Sequence, residues 1–529
     1  MKKIKYIGIL ALMTGFSMVS SCGEGIEDAN VNNNSPEQVP TNTIFNHATE
    51  QYLSASRDAF NHGRLTLNWM EYWAQNSYAD EDRYLYRETS ASGLYNVAYL
   101  VATDLKTIIE YNTNEDTITE AAALGDNDNQ IAASRIMLAY IFHQHTNTFG
   151  DVPYWSYGSD DPEFEALQVD DILSPVFASQ EKIYADILKE LRESADMINV
   201  NAPVFSNGDN IFNGDATKWK RFANSLILRV ATMLKEVDAS TADAAITAAI
   251  ADGVMTSNND SAAQFYDNVG GNENPMWKAF IDRTDFGVSA PFVDLMKGVT
   301  GNFGPDPRLF SMAAPISASI QSIKDATYPA STNYSDYVGV PYAYGNVNRI
   351  GFDLYSFPSS DVLSPTFREV LMEYSEVEFL LSELNGFAQE NYEKAVTASM
   401  EKWNVPAGDI ATFVANLPPA NEENVLNQKY VALYMQGHQA YAEFRRTGYP
   451  NSTILFLPDE TYTLSPAQAA AAGEASYKFL SGVDGLNTLP SRLRYPVTSQ
   501  TLNGENRAAA VSKLSDGDTV FSKLFWDVN

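Results

Sequence analysis

A mostly α-helical fold with a loop-rich face is what this chain predicts, and three observations predict it. Apolar residues recur every three to four positions through long stretches, the signature of one buried helix face. Glycine, proline, asparagine and aromatic residues crowd instead into one irregular segment, 255–365. Beyond the N-terminus no apolar run approaches the roughly 20 residues that cross a bilayer as a helix. With 45% hydrophobic and 19% charged residues, the body is able to bury a large core.

The N-terminus comes first. Lys2, Lys3 and Lys5 precede an apolar run from Tyr6 to Val19, and Ser20, Ser21 and Cys22 follow it. Residues 1–21 therefore read as a secretory signal peptide, whose apolar run is too short to stay as an anchor. Cys22 is the only cysteine in the 529 residues, so no intramolecular disulfide is available. Val19-Ser20-Ser21-Cys22 resembles a lipobox, in which the cysteine after the cut receives a diacylglycerol. Each buried methylene contributes about 0.8 kcal/mol, so two or three acyl chains hold a protein on a membrane. The competing reading is a chance cysteine in a discarded leader. Residues 22–43, rich in Gly, Asn, Asp, Glu and Pro, lack periodic apolar positions and read as a lipidated tether.

Loss of the three leader lysines takes the formal charge from −32 to −35. Nucleic acid and anionic lipid would both be repelled, so attachment has to come from the lipid.

From 44 to 529 the chain reads as a single domain. Helical stretches are expected at 44–61, 94–111, 128–147, 176–197, 240–251 and 422–444. In "KWKRFANSLILRVATMLKEV", Trp219, Phe222, Leu226, Val230, Met233 and Val237 form one apolar stripe, with Asp215 or Thr217 as the cap. In "EYSEVEFLLSELNGFAQENYEKAVTASMEKW", Val377, Leu380, Leu381 and Leu384 line one helix and Tyr392, Val396 and Trp403 a second. Asn385-Gly386 between them predicts two antiparallel helices. Helical pairs of this size resemble tetratricopeptide packing, without a clean 34-residue period. "SPAQAAAAGEASYKF", 465–479, predicts one more helix in a loop-rich tail.

"TFGDVPY" (148–154), "NGDATKWKRFANSLILRVA" (213–231), "DPRL" (306–309), "EVEFLLSEL" (376–384), "QKYVALYMQGHQAYAEFRRTGYP" (428–450) and "PSRLRYP" (490–496) occur in order along the chain. Together they resemble the SusD/RagB outer-membrane lipoproteins of Bacteroidota. The resemblance implies a SusD-like helical fold with tetratricopeptide-like pairs and a ligand-binding, loop-rich face with few short strands. It also implies cell-surface capture of nutrient oligomers, usually glycans, and delivery to a SusC-type TonB-dependent β-barrel. No chemistry on the ligand and no cofactor are implied; Glu24, Glu27 and Asp28 resemble a surface-export signal. The RagB branch implies peptide cargo as the alternative. Arg445, Arg446, Arg492 and Arg494 fit a structural role, paired with carboxylates, better than recognition of an anionic ligand.

A sugar site needs aromatic platforms flanked by hydrogen-bonding side chains. Two segments offer them. "NWMEYWAQNSYADEDRYLY", 68–86, supplies Trp73, Asn76 and Tyr78; "QFYDNVGGNENPMWKAF", 264–280, supplies Tyr266 and Trp277, with Tyr344 from "VPYAYGNV" beside them. Against the first, Trp69 and Trp73 stand four apart and could form one buried stripe.

Rival functions are a glycoside hydrolase and a bare helical scaffold. With 67 acidic residues, carboxylates alone prove nothing, and G-x-S-x-G, H-E-x-x-H and P-loop motifs are missing from the sequence. The irregular 255–365 segment argues against a bare solenoid. His143 and His145 are two apart, which in a helix points them away from a shared metal. "GDNDNQ", 125–130, lacks the calcium-loop Gly and Glu and reads as a turn and cap.

Overall fold

A computed structural model describes residues 39–87 and 89–528. The expected leader, Cys22 and the tether up to residue 38 lie outside the described residues. The first helix, α1 (Thr41–Ser56), starts inside the segment expected to be tether.

Helices α2 (Ser92–Thr113), α3 (Asn127–Phe149), α4 (Gln180–Met197), α5 (Ala216–Leu234) and α6 (Ala239–Asp252) follow, and each packs on the one before. Side-chain caps set the starts of α3 to α6. Asp126, Ser179, Asp215 and Asp238 accept from the backbone N–H groups of Asn129, Lys182, Lys218 and Thr241, satisfying donors that the first turn leaves open. Ser179 therefore moves the expected start at 176 to Gln180. Trp219, Phe222, Leu226, Val230 and Met233 are buried as the stripe predicts. Val237 is not: α5 ends at Leu234, and the residue falls beyond it on the surface.

After α7 (Pro275–Asp282), the pair α8 (Tyr374–Leu384) and α9 (Gln389–Lys402) forms around Asn385-Gly386, as expected. Next come α10 (Ala407–Ala415) on α9, α11 (Glu422–Ala432) on α8, and α12 (Gly437–Thr447). The single helix expected over 422–444 is thus two. Met435 adopts φ +70°, and the turn brings the Gly437 N–H to His62 Nε2 at 3.0 Å. A Cβ on Gly437 would fall 2.8 Å from Leu67 N, so only glycine allows that approach.

Buried ion pairs knit the layers. Arg229 on α5 grips Glu376 on α8 through Nε–Oε1 at 2.7 Å and Nη2–Oε2 at 2.6 Å. Arg308 of the "DPRL" phrase donates to Asp306, Ser399 and Gln428. Arg446 pairs with Glu383 and Glu443, and Arg492 with Asp518 and the Phe149 carbonyl, as the structural reading of these arginines requires. Arg445 differs, donating to the Tyr441 and Ser491 carbonyls.

Three short antiparallel ribbons complete the described architecture. They pair β1 (Trp73–Gln75) with β3 (Phe286–Val288), β2 (Ala262–Gln264) with β4 (Glu369–Met372), and β5 (Thr461–Thr463) with β6 (Ser476–Lys478). The helix expected over 465–479 stops at Ala472, because Gly473 turns left-handed and the chain then enters β6. Both histidines of the H-x-H pair are buried in α3. His143 Nε2 accepts from the Asn147 amide, while His145 packs among Tyr95, Tyr99 and Phe149. Burial pushes each imidazole down to about 3. Asp126 of "GDNDNQ" serves as the α3 cap.

Candidate functional site

The β1–β3 ribbon decides the fate of the first aromatic segment. Gly287 of β3 lets Val340 approach so closely that a Cβ there would meet it at 2.5 Å, and all three residues of each strand are buried. Trp73 has no exposed surface: its Nε1 donates to Tyr434 Oη at 2.9 Å and its ring packs on Phe280 and Phe286. Its expected role as a sugar platform is corrected to a core role. Trp69 is equally buried, with Nε1 on the Glu81 carbonyl. Asn76, at the ribbon's end, is also buried; its N–H donates to Asp285 O and its Oδ1 accepts from Ser77. Of the three nominees here only Tyr78 reaches solvent, 54% exposed.

The second segment behaves differently. Leaving β2, the chain alternates: Gln264 in, Phe265 out, Tyr266 in. Tyr266 is buried with its hydroxyl 3.3 Å from Ser54 Oγ, and Tyr344 is buried against Tyr477 with its hydroxyl on Glu474. Neither offers a ring to a ligand, so both expectations are corrected. Trp277 is half-buried in the first turn of α7. That helix is fixed by Asn274, whose Oδ1 accepts from Met276 N and Trp277 N. The Asn274 amide in turn donates to the Phe367 carbonyl and to Glu369 Oε1, at 3.2 and 2.7 Å. Burial pushes the Glu369 carboxyl up to about 7, against the pull of Arg57, Asn274 and Lys402.

Segment 365–369 therefore joins the Trp277 helix to an open groove of about 650 Å³, within the range of small-ligand sites. Phe367 and Arg368 line it, with Trp403, Asn258, Thr366 and Asn404. The Arg368 guanidinium lies 3.8 Å from the centre of the exposed Phe265 ring, a stacked pair between the chain entering β4 and the chain leaving β2. The charged lining is balanced: Arg368 and Lys402 face Asp361 and Glu373, and Lys402 is paired with Glu373. At Asn404, which adopts φ +54°, the groove meets a second cleft of about 700 Å³. Phe303, Phe310, Tyr334 and Phe413 give that cleft aromatic walls, and Asp409 and Asn416 give it polar edges.

The sequence reading named Trp277, which lines neither cleft and is tied to the groove wall through Asn274; it did not name Phe265, Arg368 or the clefts. The two-residue alternation out of β2 was the available signal for Phe265. Among the described residues, no group of three or more His, Cys, Asp or Glu side chains is placed to hold a metal ion. Ring faces beside hydroxyl and amide groups are what the arrangement offers, which is the chemistry that binds an uncharged, hydroxyl-rich oligomer.

Comparison with known proteins agrees with this architecture. Residues 33–462 match the SusD-like family model described as starch-binding and associating with the outer membrane. Residues 418–527 match a second, for SusD and RagB outer-membrane lipoproteins. The chain belongs to the SusD-like family of outer-membrane lipoproteins. Solved structures share the fold: a chitin-binding protein at 22% identity, covering 92% of this chain and 100% of its own, has a TM-score of 0.71. A chitin-binding SusD homologue from Flavobacterium johnsoniae, 23% identical over 92% of this chain and 98% of its own, has a TM-score of 0.66. A SusD homologue from Parabacteroides distasonis, 20% identical with the same two coverages, has a TM-score of 0.71. No curated protein sequence matches. No helix among the described residues is long and apolar enough to cross a membrane.

Proposed function

We propose that this protein is a cell-surface receptor that binds oligosaccharides without altering them and delivers them to a SusC-type TonB-dependent β-barrel. The single observation that carries the reading is the charge-balanced groove beside the Trp277 helix, whose wall is aromatic and whose edges are hydroxyl and amide. Family membership and structural neighbours described as chitin-binding support a glycan as cargo. Trp277 and Tyr78, with Phe265 and Arg368, are the proposed contacts, and Cys22 is the proposed site of acylation.

Calorimetry with chitin- and starch-derived oligosaccharides and with oligopeptides, followed by chromatography of the recovered ligand, tests this directly. Saturable binding of an intact sugar is expected. Cleaved product would turn the reading to an enzyme, and binding of peptides alone would turn it to peptide cargo. Co-purification with a β-barrel from native membranes tests the delivery step. Cys22→Ala is expected to free the protein from the membrane fraction; unchanged retention would reject the anchor.

A further inference from the structure

An interior cavity on the other side of β4, where Leu371 lines the cavity and Val370 the groove, has an unusual lining. It holds about 20 Å³, room for one atom-sized species, between Arg57 behind α1, His143 and Gln144 of α3, Arg229 of α5, and His438 and Arg445 of α12. Arg57 is 2% exposed and forms no ion pair among the described residues; its charge acts on Glu369, but burial pushes that carboxyl up to about 7. Its Nη2 donates to Tyr140 Oη at 3.1 Å and to the Val370 carbonyl at 3.4 Å, while Nε and Nη1 have no acceptor. Gln144 gives its Oε1 to the Tyr52 hydroxyl and leaves Nε2 without an acceptor. Every unpaired buried side-chain atom of the lining is thus a donor.

The charge around the cavity points the same way. Glu376 balances Arg229; Arg445 donates to carbonyls, stacks on Tyr441 and Trp526 and feels the Asp527 carboxylate without pairing with it, and the nearby Glu443 is taken by Lys429 and Arg446. His143 and His438 are held neutral, mainly by burial and further by the charges of Arg229 and Arg57 respectively. A buried guanidinium with two N–H edges unpaired and no ion-paired carboxylate is costly, so something should balance it. Water would accept from these donors yet bring two hydrogens of its own that need acceptors. An anion only accepts.

We propose that the cavity binds one small monovalent anion, chloride in an aqueous saline setting, held by Arg57 Nε and Nη1 and by the Gln144 amide. The volume excludes sulfate or phosphate. The ion joins Arg57, just after α1, to Gln144 of α3, in a cavity that α12 also lines, and so acts as a structural clamp.

Two measurements on the whole folded chain test this. Thermal unfolding is compared in sodium chloride and sodium gluconate at equal ionic strength. The melting temperature is expected to rise and saturate with chloride and to stay lower in gluconate. Crystals grown in bromide are expected to show an anomalous peak within hydrogen-bonding reach of Arg57. Equal melting in the two salts, or a bromide map with no peak in the cavity, overturns the proposal. Arg57→Gln, if folded, should lose the chloride-specific gain while keeping the general salt response; a retained gain also counts against the site. The bromide map needs no variant, so a misfolded Arg57→Gln does not block the test.

Discussion

Segments 68–86 and 264–280 have the same kind of composition, tryptophans and tyrosines set among Asn, Gln and Asp, and the fold treats them in opposite ways. The first is pulled inward: β1 locks it to β3, and the indole N–H groups of Trp69 and Trp73 find buried acceptors. The second is fastened where Gln264 pairs with β4, and by Asn274 and Ser54, yet leaves Phe265 and part of Trp277 at the surface. Aromatic content therefore marks neither core nor site. What separates them is whether the polar handle of each ring is satisfied inside the protein.

The sharpest way to break that comparison is to truncate the buried member. Trp73→Ala is expected to cost about 3–5 kcal/mol, since it opens a cavity beside Phe280 and Phe286 and orphans nothing on the surface. Chemical denaturation measures it. Any protein that still folds should bind sugar with unchanged affinity; a well-folded Trp73→Ala that has lost binding alone would put the first segment back in the site.

Glu369 bears on the second region, because it sits in the core and holds the cap residue of the Trp277 helix. Its folded carboxyl keeps its proton until about 7, whereas an ordinary glutamate releases it near 4.5. Between those values the native state binds more protons than the unfolded chain, so this group's contribution to stability falls as pH rises through that window. The full loss is about 3 kcal/mol, reached above pH 7. Glu369→Gln should remove that part of the slope and be more stable than the parent above pH 7. Parallel melts from pH 4.5 to 8 decide it; identical slopes would show that Glu369 titrates normally.

How far all this was legible in the sequence depends on the range of the cause. Helices α2 to α6 and the α8–α9 pair follow from local period and from caps such as Asp126 and Asp215, which act within four residues. The break at 433–436 has a distant cause, the packing of Gly437 against 62–67, and no local pattern announces it. Three-residue strands are too short for alternation to show. That is why Tyr266 was nominated and its outward neighbour Phe265 was not, a slip of one position that exchanges the two faces. The cleft walls, 303–334 with 404–416, meet only through tertiary folding.

A smaller effect is expected at the hinge between the regions. Asn274→Ala removes a cap worth about 1 kcal/mol and also leaves the α7 start free of 365–369. Affinity should fall with stability here, because Trp277 loses its fixed position; Asn274→Asp, which keeps the cap oxygen, should restore most of the stability and less of the affinity. Equal recovery of both would mean that the link to Phe367 and Glu369 does not position the site.

The smallest stability effects belong to the exposed rings, and they carry the most information about binding. Tyr78→Ala should change stability by no more than about 0.5 kcal/mol, as for other surface positions. Trp277→Ala, half-buried, should cost somewhat more, yet its affinity loss should be about tenfold, equivalent to about 1.4 kcal/mol. Calorimetry on both, and on the double variant, separates two arrangements. If a bound chain spans from Tyr78 to Trp277, each single change weakens binding and the losses couple. If ligand lies only along the Arg368–Phe265 wall, Trp277→Ala weakens binding and Tyr78→Ala does nothing. Full affinity in both variants would remove Tyr78 and Trp277 from the site and leave the groove lined by Phe367 and Trp403, or the cleft beyond Asn404, to hold the ligand.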